Sequence, residues 1–74
     1  MTWISVKDKL PEISMKRNLF INGKNEVIYG YVFDIDTENN VWIHDMDRET
    51  NEIALFWMPL PVAPKEVRMA DHNG

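Results

Sequence analysis

The sequence predicts a small, mainly β protein: an antiparallel meander of about four strands, folded as an SH3-like half-barrel or a single curled sheet, with a Pro-rich C-terminal exit. Three observations lead there. The apolar run Phe56–Pro64 is broken by Pro59, Pro61 and Pro64, which no helix could carry. Glu26–Phe33 alternates with period two, and both registers are apolar. Short polar clusters separate the apolar runs at Asn22-Gly23, Asp36–Asn40 and Asp47–Asn51.

Trp3–Val6 reads as a short strand or extended lead-in. Ser5 and Asp8 have capping-box spacing, which allows one helical turn through Leu10 before Pro11 ends it. Arg17–Ile21 is the next strand and runs into Asn22-Gly23, a hairpin signal because both positions tolerate positive φ. The returning strand, Glu26–Phe33, places Val27, Tyr29, Tyr31 and Phe33 on one face and Ile28, Gly30 and Val32 on the other. Gly30 in mid-strand marks a bulge or a close approach of another backbone. Val41–Met46 follows, with Val41 and Ile43 facing one way and Trp42, His44 and Met46 the other. Glu52–Met58 closes the set, with Ile53, Leu55 and Trp57 aligned. After Pro64 a brief turn is expected at Lys65–Met69. One domain is expected over residues 1–68 and a tail over 69–74. The expected core is Trp3, Ile4, Leu10, Leu19, Ile21, Val32, Leu55 and Trp57, with Trp57 packed on the Trp3-Ile4 segment.

At 74 residues the chain has room for a single core. It has no cysteine, which removes disulfides, thiolate chemistry and every Cys-based metal site. No apolar run approaches the roughly 20 residues that span a bilayer, and Met1-Thr2-Trp3 does not open a signal peptide. A soluble, cytoplasmic protein without membrane partners is expected. The net charge of −4 is concentrated at Asp34, Asp36, Glu38, Asp45, Asp47, Glu49 and Glu52, opposed in that stretch by Arg48. No basic stripe matches a phosphate backbone, so no nucleic-acid partner is expected.

Chemistry-bearing motifs are sparse. Asp34, Asp36 and Glu38, with Asp45 beyond, have the oxygen spacing that opens a calcium loop. However, Asn39 stands where the sharp turn wants Gly, and the flanks read as strand, so a solvated hairpin tip is the simpler account and no metal is expected. His44 and His72 do not make a zinc site by spacing. Ser5 and Ser14 lack a recognisable catalytic context. Neither an enzyme nor a cofactor is expected. Trp3, Trp42, Trp57, Tyr29, Tyr31, Phe20, Phe33 and Phe56 are too many for one thin core. The surplus points to an interaction face at Tyr29, Tyr31, Trp42 and His44, because such residues are enriched at interface centres.

The two ends, Trp3-Ile4-Ser5-Val6-Lys7-Asp8-Lys9-Leu10-Pro11-Glu12 and Phe56-Trp57-Met58-Pro59-Leu60-Pro61, resemble the N- and C-terminal signatures of the domain of unknown function 551 family, small proteins of phages and prophages. The family pattern has Val-Thr-His ahead of the second signature where this chain has Ala54-Leu55-Phe56, so no histidine role carries over. The resemblance implies a phage or prophage habitat and no activity. The combined expectation is a non-enzymatic module, a phage or prophage accessory protein that binds a host or phage protein, with inhibition of that protein as one outcome. A homodimer is expected, since a chain this short without cysteine or metal needs further burial. The rival is a small-ligand binder, such as a nucleotide-binding or sequestering protein, with its site at a subunit interface.

Overall fold

A computed structural model describes residues 2–61. The boundary at residue 68, the turn expected at 65–69, the tail at 69–74 and His72 lie outside the described residues. The elements are β1 (Ile4–Ser5), β2 (Asn18–Asn22), β3 (Val27–Ile35), β4 (Val41–Asp45) and β5 (Thr50–Pro59), all antiparallel. The strand order is β1-β5-β2-β3-β4, and β4 pairs with β5 as well. Strands β2 to β5 therefore close into a small barrel, and β1 adds to one edge of β5. Among the described residues no helix is long and apolar enough to cross a membrane.

Closure depends on two bulges. On β5, Asn22 pairs with Ala54 while Ile21 pairs with Phe56, so Leu55 is the extra residue. Before the bulge β5 pairs with β4, from Asp45↔Thr50 to Val41↔Ala54; beyond it, that edge takes β1 through Ile4↔Trp57 and Ser5↔Phe56. On β3, Val32 pairs with Ile43 but Asp34 with Trp42, leaving Phe33 extra. Bulges sharpen twist, which lets so few strands close. Gly30 meets the close-approach expectation: a Cβ there would collide with the His44 carbonyl on β4.

The core is Phe20, Ile28, Val32, Val41, Ile43 and Ala54, with Val6, Ile35 and Trp57 packed against it. Val32 lies where the sequence put it. Trp57 is half-buried at the core edge opposite Ile4, and Trp3 and Ile4 are half-buried too. Four core expectations are corrected. Leu19 and Ile21 lie half-buried on the outer face, because the inner side of β2 is Asn18, Phe20 and Asn22. Leu55 is 43% exposed because the bulge breaks its alignment with Trp57 and turns Ala54 inward instead. Leu10 is 40% exposed; its neighbour Pro11 is buried.

The turns share one chemistry. Each opens on an Asx residue whose side-chain oxygen caps backbone N–H groups ahead of it, and each closes on a residue at positive φ. Asn22 Oδ1 accepts from Lys24 and Glu26 N, Asp36 Oδ1 from Glu38 and Asn40 N, and Asp45 Oδ1 from Asp47 and Arg48 N. The left-handed residues are Asn25 (φ 61°), Asn39 (φ 64°) and Glu49 (φ 56°). The hairpin after β2 is thus present, but Gly23 has no positive φ. A three-residue loop ending at Asn25 replaces the two-residue Asn-Gly turn, because Asn22 serves as the cap. At the N-terminus Ser5 Oγ accepts from Lys7 N, and the N–H groups of Asp8 and Lys9 both reach Ser5 O, a single capped turn.

From that turn the strap Lys9–Arg17 runs to the start of β2. Trp57 Nε1 donates to Lys9 O at 2.9 Å and Ser14 N donates to Val32 O at 3.2 Å, fixing the strap at both ends.

Candidate functional site

The outer face of β5, β2 and β3 is built from two cross-strand rows. Register aligns Phe56, Ile21 and Val27 in one, and Met58, Leu19 and Tyr29 in the next. Each residue lies one position from an inward-facing neighbour, since Trp57, Phe20 and Ile28 form the inner row between them. Val27 is 63% exposed, Tyr29 39% and Phe56 38%, so the rows form an apolar face open to solvent. Phe33, on the same strand as Tyr29, is also exposed.

Next to these rows the face becomes polar-aromatic. Tyr31 pairs with His44 across β3–β4, with ring centroids 5.5 Å apart and planes tilted by 48°. The Arg17 guanidinium lies 5.0 Å above the Tyr31 ring, within cation–π range. His44 Nδ1 is hydrogen-bonded to Asn51 Oδ1 at 3.0 Å across β4–β5. Trp42 is held separately, its Nε1 donating to Asp36 Oδ2 at 3.1 Å. Of the expected face, Tyr31 and His44 are therefore in contact, Tyr29 continues it along β3, and Trp42, on β4, has its indole tied to the β3–β4 turn. Sequence reading missed Leu19, Ile21, Val27, Phe56 and Met58 as face residues. Their signal was the hairpin register: once Ile21 faces Val27, both faces of β2 are determined.

Asp34, Asp36 and Glu38 do not gather, and no group of three or more His, Cys, Asp or Glu able to hold a metal occurs among the described residues. Asp36 is occupied as a structural acceptor, taking the Asn40 and Glu38 N–H groups on one oxygen and Asn40 Nδ2 and Trp42 Nε1 on the other. These bonds, led by the Asn40 N–H, hold its carboxyl below the usual range. At the opposite turns the Arg48 guanidinium makes a bidentate pair with Glu26, at 3.2 and 3.1 Å. That pair, with help from Asn22 Nδ2, lowers the Glu26 carboxyl to about 2. Both serines serve turns, Ser14 Oγ accepting from Lys16 N as Ser5 Oγ does from Lys7 N.

Two clefts flank the N-terminal segment. One, of about 600 Å³, separates the turn at Val6–Leu10 from the β3–β4 turn at Glu38–Asn40. The other, of about 270 Å³, lies beneath the strap, with Trp57 and Pro59 on one side and Asn18 among its lining residues. Trp57, paired to Ile4 and bonded to Lys9 O, joins the two end stretches in space.

A family model described as "Protein of unknown function (DUF551)" matches residues 2–65. No curated protein and no solved structure matches the chain. The match takes in every strand, and the chain belongs to the DUF551 family.

Proposed function

We propose that this member of the DUF551 family is a non-enzymatic protein-interaction module that docks through the outer face of β5, β2 and β3. The single observation behind the reading is the pair of exposed apolar rows, Phe56–Ile21–Val27 and Met58–Leu19–Tyr29, bordered by Tyr31, His44 and Arg17. An aromatic and aliphatic centre with Arg and Tyr at its border is the composition of a binding hot spot. Without a partner the face is covered by a second copy of the chain, in a two-fold homodimer that opens when the partner protein docks on the same rows. The economics of size favour this, since a chain of under about 70–80 residues seldom gains more than ~3–5 kcal/mol from one core.

In its cellular role the module is an accessory protein of phage or prophage origin. It acts in the host cytoplasm by binding, and thereby inhibiting, a host or phage protein. The habitat comes from the resemblance of the two end stretches, and the binding comes from the face.

A paired capture experiment tests the function. Tagged parent and a Tyr29→Lys/Phe56→Lys variant with the same melting behaviour are incubated with host lysate. A protein retained by the parent and lost with the variant supports docking on this face. Equal retention by both contradicts it.

A further inference from the structure

Asn18 and Asn22 bracket β2 on its inner side, both buried, and they differ in what their carboxamides do. Asn22 is fully engaged: Nδ2 donates to Glu26 Oε1 at 2.9 Å and to Glu52 Oε1 at 2.6 Å, and Oδ1 accepts the Lys24 and Glu26 N–H groups. Asn18 is 7% exposed, and its side chain makes no hydrogen bond among the described residues. Buried carboxamides are normally paired, and one that is not requires a reason.

The surroundings of Asn18 supply one. It lines the cleft of about 270 Å³ between the strap and the end of β5. Leu10, Trp57 and Pro59 give this cleft an apolar side, while Lys9 and Lys16 against Glu12 leave its charged groups at net +1 (two lysines, one glutamate) in a chain of net −4. We infer that this cleft binds a small carboxylate carrying an adjacent N–H or O–H donor, that is, an α-amino or α-hydroxy acid. The Asn18 carboxamide offers one donor group and one acceptor. Its Nδ2 donates to the ligand carboxylate, which the lysine ammonium groups also attract. Its Oδ1 accepts from the α-substituent, and the ligand's apolar body lies against Trp57 and Leu10. The volume sits just below the range of drug-sized pockets, which suits a molecule of amino-acid size. The inference is independent of the outer face, because Asn18 and Trp57 belong to the inner rows.

The full chain is titrated, with NMR detection, with L-leucine, 2-hydroxy-4-methylpentanoate, 4-methylpentanoate and L-leucinamide. The first two are expected to bind, and removal of the α-donor or of the carboxylate weakens binding about tenfold, the worth of one hydrogen bond or ion pair. Lys16→Glu, a substitution on an exposed strap residue, weakens both carboxylates by a similar factor. Asn18→Leu removes the discrimination between leucine and 4-methylpentanoate, and it raises the melting temperature of the free protein because an unpaired buried amide has been replaced by an apolar isostere. Absence of binding by all four probes at millimolar concentration overturns the site. So does an Asn18→Leu protein that melts below the parent, since the amide would then be satisfied within the fold.

Discussion

The two faces of β3 carry comparable side chains and serve different ends. Inward, Ile28 and Val32 are almost completely buried, and Gly30 lets the His44 carbonyl close in on the strand. Outward, Val27, Tyr29 and Phe33 stay exposed, with only Tyr31 sheltered between Arg17 and His44. Apolar character alone therefore does not mark the core of this barrel. Closure selects one face, because β2 to β5 share a single small interior that Phe20, Ile43, Val32 and Val41 fill. The other face keeps its apolar surface, which is what a docking surface needs.

The sharpest way to break this comparison is to cut the inner face. Phe20 is fully buried, so Phe20→Ala should cost about 3–5 kcal/mol, enough to unfold so small a domain. Chemical denaturation of the variant checks it, and a midpoint near that of the parent would mean the interior is not a packed core. Trp57 marks the boundary. It is half-buried and donates to Lys9 O, so Trp57→Ala should cost less, about 2–3 kcal/mol, with loss of strap protection in hydrogen exchange.

On the outer face the expected cost is smaller still. Tyr29→Ser and Phe56→Ser each remove one cross-strand neighbour, Leu19 and Ile21 respectively, and should each cost about 1 kcal/mol or less in a monomer, read from urea unfolding at low protein concentration. The smallest effect is electrostatic. Glu26 is held at about 2 by Arg48, below its ordinary 4.5, so the folded state prefers the carboxylate. Its contribution is fully present above pH 4.5 and is lost as the pH falls from there towards 2. Both partners are open to solvent, so salt should shrink the effect. Comparing acid titrations of the parent and Arg48→Met at low and high salt isolates it.

Much of the fold was legible because it rests on local patterns. The alternation of Glu26–Phe33, the polar turn clusters and the prolines after Phe56 located the four longer strands and their order. What stayed hidden depends on pairing. On β2 the two apolar residues of one register, Leu19 and Ile21, outnumber the lone Phe20 of the other. Only the partners across the sheet show that Asn18 and Asn22 face inward with it. Leu55 looked aligned with Trp57 because a bulge cannot be read from one strand; Ala54 and Trp57 both face inward, three positions apart. The acidic turn resembled a calcium loop because spacing does not reveal that Asp36 is occupied by Asn40, Glu38 and Trp42. Of the residues in the aromatic surplus, Tyr29 is exposed and Tyr31 and His44 stand in contact beside it. The Asn18 amide, without a hydrogen bond among the described residues, had no sequence signal, since an Asn opening a strand is ordinary.

Association through the outer face is the central proposal. Light scattering behind a sizing column, across micromolar loading concentrations, tests it most directly. The parent is expected to show a dimer mass and a melting temperature that rises with concentration, and Tyr29→Lys/Phe56→Lys a monomer mass with the fold retained. A parent that elutes as a monomer throughout, with a cooperative melt independent of concentration, would contradict it.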